Sequence, residues 1–140
     1  MPILNYTTEV PVTTSVNHIT KVLVAHGASG ILTEYDLNGE VEALTFRVPF
    51  SDSNKGFRLP ANWQAVACAL SNDPKVERRY RTDDQAKRVA WRILKDWVEA
   101  QMALIDVQMA ALDQVFLPYM QCGVESFYEV AKRNLPKLLE

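Results

Sequence analysis

The chain has 140 residues, of which 48% are hydrophobic and 23% are charged, and its formal net charge is −2. This length suits one domain with one core, and the composition excludes a chain kept disordered by low hydrophobicity and high net charge. A slightly negative net charge disfavours nucleic-acid binding, which depends on Lys and Arg, but the charges are unevenly distributed along this chain.

Two elements are predicted near the N-terminus. Residues 3–10 mix β-branched and aromatic side chains ahead of a proline, which favours a short strand at the edge of a sheet. Apolar residues then recur at helical spacing over residues 16–23, and Gly27 follows where a helix can end with a positive φ. With Thr13 or Thr14 as the N-cap, this pattern predicts a short first helix.

A β-hairpin is predicted next. Residues 31–36 and 41–48 are rich in β-branched and aromatic residues and flank an Asn-Gly pair, which is a strong hairpin signal. In the second run Leu44, Phe46 and Val48 share one face, because side chains alternate along a strand. We expect this face to point to the core.

A third strand and a second helix are predicted after the hairpin. Residues 49–56 are polar and turn-rich, and residues 57–59 form a short returning strand closed by Pro60. A proline is tolerated in the first turn of a helix, so Pro60 also opens the predicted helix. The apolar stripe of this helix consists of Trp63, Val66, Ala67 and Leu70.

The longest predicted element begins at residues 82–85, Thr-Asp-Asp-Gln, which form a capping-box pattern. No Gly or Pro interrupts the chain until Pro118, so about 35 residues, spanning about 50 Å, are expected to form one helix. This helix has two apolar faces, and the small sheet covers only one. We expect the second face to pack against residues 127–139 or against a partner, which includes a second copy of the chain. The partner-facing residues are Leu94, Val98, Met102, Ile105, Met109, Leu112 and Phe116.

Together these elements predict an α+β fold. A small antiparallel sheet of three to four strands packs against one very long C-terminal helix plus two or three short helices, in the order β-α-β-β-β-α-α-α. No repeat or linker is visible, so residues 1–140 are expected to form a single domain. The width of the apolar surface on the long helix favours a homo-oligomer.

Signatures of enzymes and metal sites are absent from the sequence. It contains no P-loop, dinucleotide-binding fingerprint, zinc-protease motif, nucleophile elbow or CxxC pair. His18 and His26 lie two helical turns apart, too far to share a metal without other ligands. Cys68 and Cys122 are distant in sequence, and both are expected to be reduced. We therefore predict no catalytic residue, no metal and no cofactor.

The N-terminal sequence predicts a cytoplasmic location. Its first six residues, MPILNY, do not begin a signal peptide, because a basic stretch followed by an apolar run is missing. No apolar stretch reaches membrane-spanning length, so no membrane partner is expected.

The charges define a candidate nucleic-acid surface. Residues 75–95 hold eight basic and three acidic residues, whereas residues 96–131 hold six acidic residues and no Lys or Arg. Phosphate contacts from the cations, with Tyr80 or Trp91 as a stacking ring, would suit single-stranded nucleic acid. Local ion pairs, such as Arg92 with Asp96, are the alternative interpretation. The candidate residues are Arg47, Lys55, Arg58, Lys75, Arg78, Arg79, Tyr80, Arg81, Arg88 and Arg92.

Three stretches carry a resemblance to known proteins. They are GFRLPANWQAV (residues 56–66), RVAWRILKDWVEAQMALID (residues 88–106) and FLPYM (residues 116–120). With these stretches the chain resembles a group of short, uncharacterised proteins of bacteriophages and integrated mobile elements. The resemblance implies a bacterial setting and a binding role, either in DNA replication and recombination or against a host defence protein, and it implies no catalytic residues.

Three functions compete on this basis. The leading hypothesis is a non-enzymatic protein that contacts nucleic acid through the basic start of the long helix and the hairpin. The second is an inhibitor or adaptor that binds a host protein through the apolar face of the long helix. The third is a small-molecule or nucleotide-binding enzyme with a pocket between the sheet and the helices.

Overall fold

A computed structural model describes residues 2–50 and 53–139 and has a mixed α+β fold, as predicted. The first compact unit comprises Met1–Val22 and Ala61–Ala100, and the second comprises Leu23–Pro60 and Gln101–Glu140. The prediction of one domain over residues 1–140 stays a prediction. The elements in chain order are α1 (Val12–Ala25), β1 (Gly30–Tyr35), β2 (Val41–Phe50), β3 (Ser53–Pro60), α2 (Trp63–Asn72), α3 (Asp83–Asp106), α4 (Leu112–Phe116), β4 (Gln121–Cys122), β5 (Glu125–Ser126) and α5 (Phe127–Leu138).

Residues 3–8 form turns rather than the predicted edge strand. Asn5 has a φ of 65°, outside the strand region, and its carbonyl accepts a hydrogen bond from the amide of Thr8 at 3.0 Å. The side-chain amide of Gln85 on α3 donates to the carbonyl oxygens of Tyr6 and Thr8, each at 2.9 Å. The strand prediction was therefore wrong, because a side chain satisfies the backbone groups that a neighbouring strand would have paired.

Helix α1 ends at Ala25, and Gly27 follows it with a φ of 100°, the positive value predicted for this position. The amide of Ala28 donates to the carbonyl of Leu23 at 3.0 Å, which is the closing bond of a Schellman motif. The start of the helix differs from the prediction. Since the helix begins one residue before Thr13, both Thr13 and Thr14 lie inside it and neither is the N-cap.

Strands β1, β2 and β3 form one antiparallel sheet in that order. Gly39, with a φ of 78°, lies in the turn between β1 and β2, as the Asn-Gly pair predicts. Leu44, Phe46 and Val48 are buried, which confirms the predicted core face of β2. In the second unit, the ring of Phe46 packs edge-on against the ring of Phe116 on α4, with 5.2 Å between centroids.

The opposite face of β2 is also covered in part. Ala43 and Thr45 are buried on this face, whereas Arg47 is exposed. The hydroxyl of Thr45 has no hydrogen-bond partner among the described residues. A buried hydroxyl without a partner costs free energy, so Thr45 is a local weakness of the sheet.

Strand β3 is longer than predicted. It spans Ser53–Pro60 and pairs with β2 from Ala43 to Phe50, so much of the turn predicted over residues 49–56 is strand. Residues 51 and 52 of that predicted turn lie outside the described residues. Pro60 ends β3 and does not open α2. The N-cap of α2 is Asn62, whose side-chain oxygen accepts from an amide of the first turn at 3.2 Å.

Helix α3 begins at the predicted position and ends earlier than predicted. Only half of the predicted capping box forms, because the side-chain oxygen of Gln85 accepts from Arg88 and not from the amide of Thr82. The hydroxyl of Thr82 accepts a hydrogen bond from the amide of Gln85 at 3.1 Å. At the other end Gln108 has a φ of 63°, and the amide of Met109 donates to the carbonyl of Leu104 at 2.9 Å. This Schellman geometry ends the helix at Asp106, so α3 has 24 residues rather than about 35.

The remainder of the second unit contains a small hairpin that was not predicted from the sequence. Strands β4 and β5 form a two-stranded antiparallel sheet with Gly123, φ 69°, in the turn. Met120 forms an isolated bridge with Phe57 of β3. The observed order of elements is α-β-β-β-α-α-α-β-β-α, in place of the predicted β-α-β-β-β-α-α-α.

Candidate nucleic-acid interface

Four of the candidate cations occur in one short segment ahead of α3, residues 75–81, which we name the basic loop. Its side chains Lys75, Arg78, Arg79 and Arg81 are exposed. A single 3₁₀ turn, Arg78–Tyr80, gives this loop a defined backbone. The structure thus gathers these four cations at the surface of the first unit.

The loop is anchored at both ends. On its N-terminal side the carboxylate of Asp73 accepts from the amide of Lys75 at 2.9 Å, and Val76 is buried. On its C-terminal side the guanidinium of Arg81 donates to the carbonyl of Asp73 at 2.9 Å. Because these contacts fix the backbone, the neighbouring cations are presented without a large ordering cost.

The charges of the loop are only weakly neutralised within the chain. Arg79 pairs with Glu77 at 3.0 Å, but their side chains are 69% and 61% exposed, and such surface pairs contribute little. Lys75 and Arg78 form no ion pair with any residue that the structure describes. Positive charge therefore remains available to an anionic partner.

Tyr80, the predicted stacking ring, is already in contact with other side chains. Its ring packs edge-on against Tyr6, with 5.6 Å between centroids, and the guanidinium carbon of Arg79 lies 4.8 Å from its centre. The second predicted ring, Trp91, is 1% exposed and belongs to the core of the first unit. Trp91 is thus not available for base stacking.

The cations on α3 contact other residues of the first unit. Arg88 donates two hydrogen bonds to the side-chain oxygen of Gln85, and Arg92 donates to the buried hydroxyl of Ser15 at 3.4 Å. Lys87 lies over the ring of Trp63, with 4.9 Å from its nitrogen to the ring centre. Arg92 and Lys87 thus contact neighbouring segments, and Arg88 holds a side chain of α3 itself, which limits the use of all three as phosphate ligands.

Two charged groups of α3 have shifted pKa values. The hydrogen bond to Glu99 raises the pKa of Lys95 despite the opposing effect of burial. Burial acts to raise the pKa of Asp96, but the hydrogen bonds from Asn5 and Lys95 outweigh it and the pKa lies below its usual value. Both shifts favour the charged forms, so this part of α3 is a structural network of charges.

The three remaining candidate cations lie in the second unit, on β2 and β3. Lys55 is exposed, and the guanidinium of Arg47 lies over Gly30. Arg58 donates from Nε to Glu34 at 2.8 Å. Of the ten candidate residues, the structure thus brings five together in the basic loop, places two on α3 and leaves three on the sheet.

The predicted partner face of the long helix is largely covered by the chain itself. Val98, Met102 and Phe116 are at most 2% exposed, so they cannot form a docking surface, and that part of the prediction was wrong. Met109 is 73% exposed and lies in the turn after α3. Leu94, Ile105 and Leu112 are half-buried.

Both histidines pair with carboxylates of α3. The Nε2 atom of His18 lies 2.8 Å from Glu99, and that of His26 lies 3.0 Å from Asp106. Across residues 2–50 and 53–139, no group of three His, Cys, Asp or Glu side chains is placed to hold a metal.

No protein-family model, no curated protein and no solved structure matches this chain. The resemblance to small proteins of bacteriophages and mobile elements, and the bacterial setting it implies, therefore stay predictions. Within the described residues, no helix combines the length and apolar character that crossing a bilayer requires.

Proposed function

We propose that this protein binds nucleic acid through the basic loop, by contacts to backbone phosphates. The observation that carries the proposal is the exposure of four cations on an anchored backbone, two of which, Lys75 and Arg78, have no ion-pair partner among the described residues. Lys and Arg side chains that release counterions from phosphates are the usual source of sequence-independent affinity.

The loop favours phosphate contacts over base readout. Tyr80 is already engaged by Tyr6 and Arg79, and Trp91 is buried, so neither ring is set up to stack on bases. A 3₁₀ turn is also too short to enter a groove as a recognition helix would. We therefore expect binding to single and double strands of any sequence, with similar affinity across sequences.

The proposal predicts strong salt dependence. Each phosphate neutralised contributes about −0.9 to the slope of log affinity against log salt concentration for duplex DNA. If all four cations of the loop contact phosphates, the expected slope is about −3 to −4.

The test is a fluorescence-anisotropy titration of labelled single- and double-stranded DNA and RNA at low salt. Charge reversal of Arg78, Arg79 and Arg81 to Glu should abolish binding to every probe. The matched pair of single reversals is Arg78→Glu in the loop and Lys21→Glu, which reverses an exposed cation of the first unit outside the loop. Arg78→Glu should weaken binding about tenfold, whereas Lys21→Glu should change affinity by less than about threefold. No binding by the unaltered protein, or equal losses in Arg78→Glu and Lys21→Glu, would contradict the proposal.

A further inference from the structure

A pocket in the second unit lies apart from the basic loop in sequence. Its volume is about 370 Å³, within the range of small-molecule sites. Pro60 and Pro118 line it together with two aromatic residues, Tyr119 and Tyr128. Tyr128 is 56% exposed, so its side chain is accessible to a ligand. These apolar and aromatic walls suit a flat ring.

One cation of the pocket is held in place by a residue outside it. Arg58 lines the pocket, and its Nε donates to Glu34, which does not line it. The two terminal nitrogens of Arg58 make no hydrogen bond to any residue in the described part of the chain. A guanidinium fixed through Nε while its terminal nitrogens remain available is suited to bind a phosphate or carboxylate through two hydrogen bonds.

The two acidic residues that line the pocket differ in how far other residues of the chain already bind their carboxylates. Glu125 pairs with Arg133, which neutralises it. One carboxylate oxygen of Glu129 accepts from the amide and the hydroxyl of Ser126, at 3.4 Å and 3.2 Å, as part of the cap of α5. Its second oxygen makes no hydrogen bond to a described residue, so Glu129 retains an acceptor for a ligand hydroxyl or amino group.

We propose that this pocket binds one nucleotide. The base stacks on the tyrosines, the phosphate binds the terminal nitrogens of Arg58, and the ribose hydroxyls or an exocyclic amino group donate to Glu129. The nitrogen of Lys132 lies over the ring of Tyr128, 5.9 Å from its centre, and adds positive charge to the site.

A nucleotide accounts for the lining better than simpler ligands do. A purely apolar ligand would bury Arg58 and Glu129 without partners, which costs free energy. A small inorganic anion would leave the aromatic and proline walls unused, and an organic cation would give the terminal nitrogens of Arg58 no acceptor. A base joined to a sugar phosphate gives each kind of lining group a partner.

The experiment is calorimetric titration of the full chain with the four nucleoside monophosphates and with the matching nucleosides. We expect at least one monophosphate to bind, about tenfold or more tightly than its nucleoside. Tyr128→Ala should weaken binding about tenfold, because base stacking is lost, and Tyr128→Phe should retain it. Arg58→Gln should remove the preference for the phosphorylated ligand.

The matched control is Glu34→Gln, which removes the negative charge beside Arg58 but keeps a side-chain oxygen that can accept from its Nε, so that the guanidinium stays in place. Affinity for the monophosphate should be unchanged or higher, because the positive charge of Arg58 is then no longer offset. An equal loss in Glu34→Gln and Arg58→Gln would assign the effect to the structure of the sheet and overturn the proposal. The proposal is also overturned if none of the four monophosphates binds at millimolar concentration. Equal affinity for a nucleoside and its monophosphate would overturn it as well.

The source of the nucleotide is tested on a chain in which Arg78, Arg79 and Arg81 are Glu, so that the basic loop no longer contributes. A short single strand that binds this variant more tightly than the free monophosphate, and loses affinity with Arg58→Gln, identifies a strand end as the ligand. Weaker binding of the strand identifies the free nucleotide. Because the loop and the pocket are altered separately, failure of one proposal leaves the other standing.

Discussion

Arg88 holds the side-chain oxygen of Gln85 with two hydrogen bonds, at 3.0 Å from Nε and 2.7 Å from Nη2. The amide nitrogen of the same Gln85 donates to the carbonyl oxygens of Tyr6 and Thr8. One guanidinium thus orients the amide that ties the N-terminal segment to α3. Arg88, which the sequence pattern predicts to bind nucleic acid, therefore has a structural role in the folded chain.

Replacement of Gln85 by Ala should lower the free energy of unfolding by about 2–3 kcal/mol. Gln85 is 4% exposed, and its removal leaves two carbonyl oxygens without donors. Urea unfolding followed by circular dichroism measures the change. Gln64→Ala, at an exposed position on α2, is the control and should change stability by less than about 0.5 kcal/mol. Similar small changes in both variants would show that the amide is not a structural tie.

Acid should weaken the contact between Asn5 and Asp96. Their hydrogen bond, at 2.7 Å, helps to hold the pKa of Asp96 below its usual 3.8. A carboxyl group whose pKa is lowered on folding adds stability that is fully present above its unfolded pKa and is lost as the pH falls through the folded pKa. Asn5→Ala should therefore be less stable than the unaltered protein at neutral pH, and this difference should shrink below pH 3.8.

The measurement is urea unfolding of both proteins between about pH 7 and about pH 2.5. Asn17→Ala, at an exposed position of α1, serves as the control, and its difference from the unaltered protein should stay constant with pH. A gap for Asn5→Ala that widens in acid would contradict the assigned direction of the pKa shift.

Gly at position 108 should stabilise the chain by about 0.5–1 kcal/mol. Gln108 adopts a φ of 63°, a left-handed conformation that strains residues with a Cβ and costs Gly little. The gain is reduced by the greater freedom of Gly in the unfolded chain. Thermal unfolding of Gln108→Gly and Gln108→Ala distinguishes the cause, because Ala retains the strain and should leave stability nearly unchanged. A lower melting temperature for the Gly variant would show that Gln108 makes a compensating contact.

Thr45→Val should raise the free energy of unfolding by about 1 kcal/mol. Thr45 is 8% exposed, and its hydroxyl has no hydrogen-bond partner among the described residues. Val has nearly the same shape and avoids the cost of an unpaired buried hydroxyl. Thr45→Ser keeps the hydroxyl and loses the methyl group, so it should destabilise the sheet. Chemical denaturation of the two variants tests the prediction, which fails if Val is the less stable.

Local sequence patterns predicted the elements whose ends are set by local chemistry. Gly27 and Gly39 occupy positive-φ positions at a helix end and in a hairpin, where glycine is favoured. The alternation of Leu44, Phe46 and Val48 identified the buried face of β2, since a strand has a period of two.

Patterns failed where distant contacts decide the structure. Residues 3–10 have strand-forming composition, but Gln85 and Asp96 of α3 hold the beginning of this segment in turns. The end of α3 depends on left-handed Gln108, a residue type that gives no helix-stop signal. Two-residue strands such as β4 are too short to show periodicity.

The candidate site was predicted in part for the same reason. The density of Lys and Arg in the sequence identified the basic loop. Which of these side chains already contact other residues of the chain depends on the tertiary structure, which the sequence pattern does not show. Arg88 and Arg92 look equivalent to Arg78 in sequence, and only the structure shows their contacts with Gln85 and Ser15.

Because the ring of Tyr6 packs edge-on against the ring of Tyr80, the segment around Tyr6 supports the basic loop. A fragment that lacks the residues before Thr8, or a bulky tag that displaces Tyr6, would therefore make the basic loop more mobile. Ordering this loop when nucleic acid binds would then cost additional free energy, so such proteins should bind more weakly than the unaltered chain.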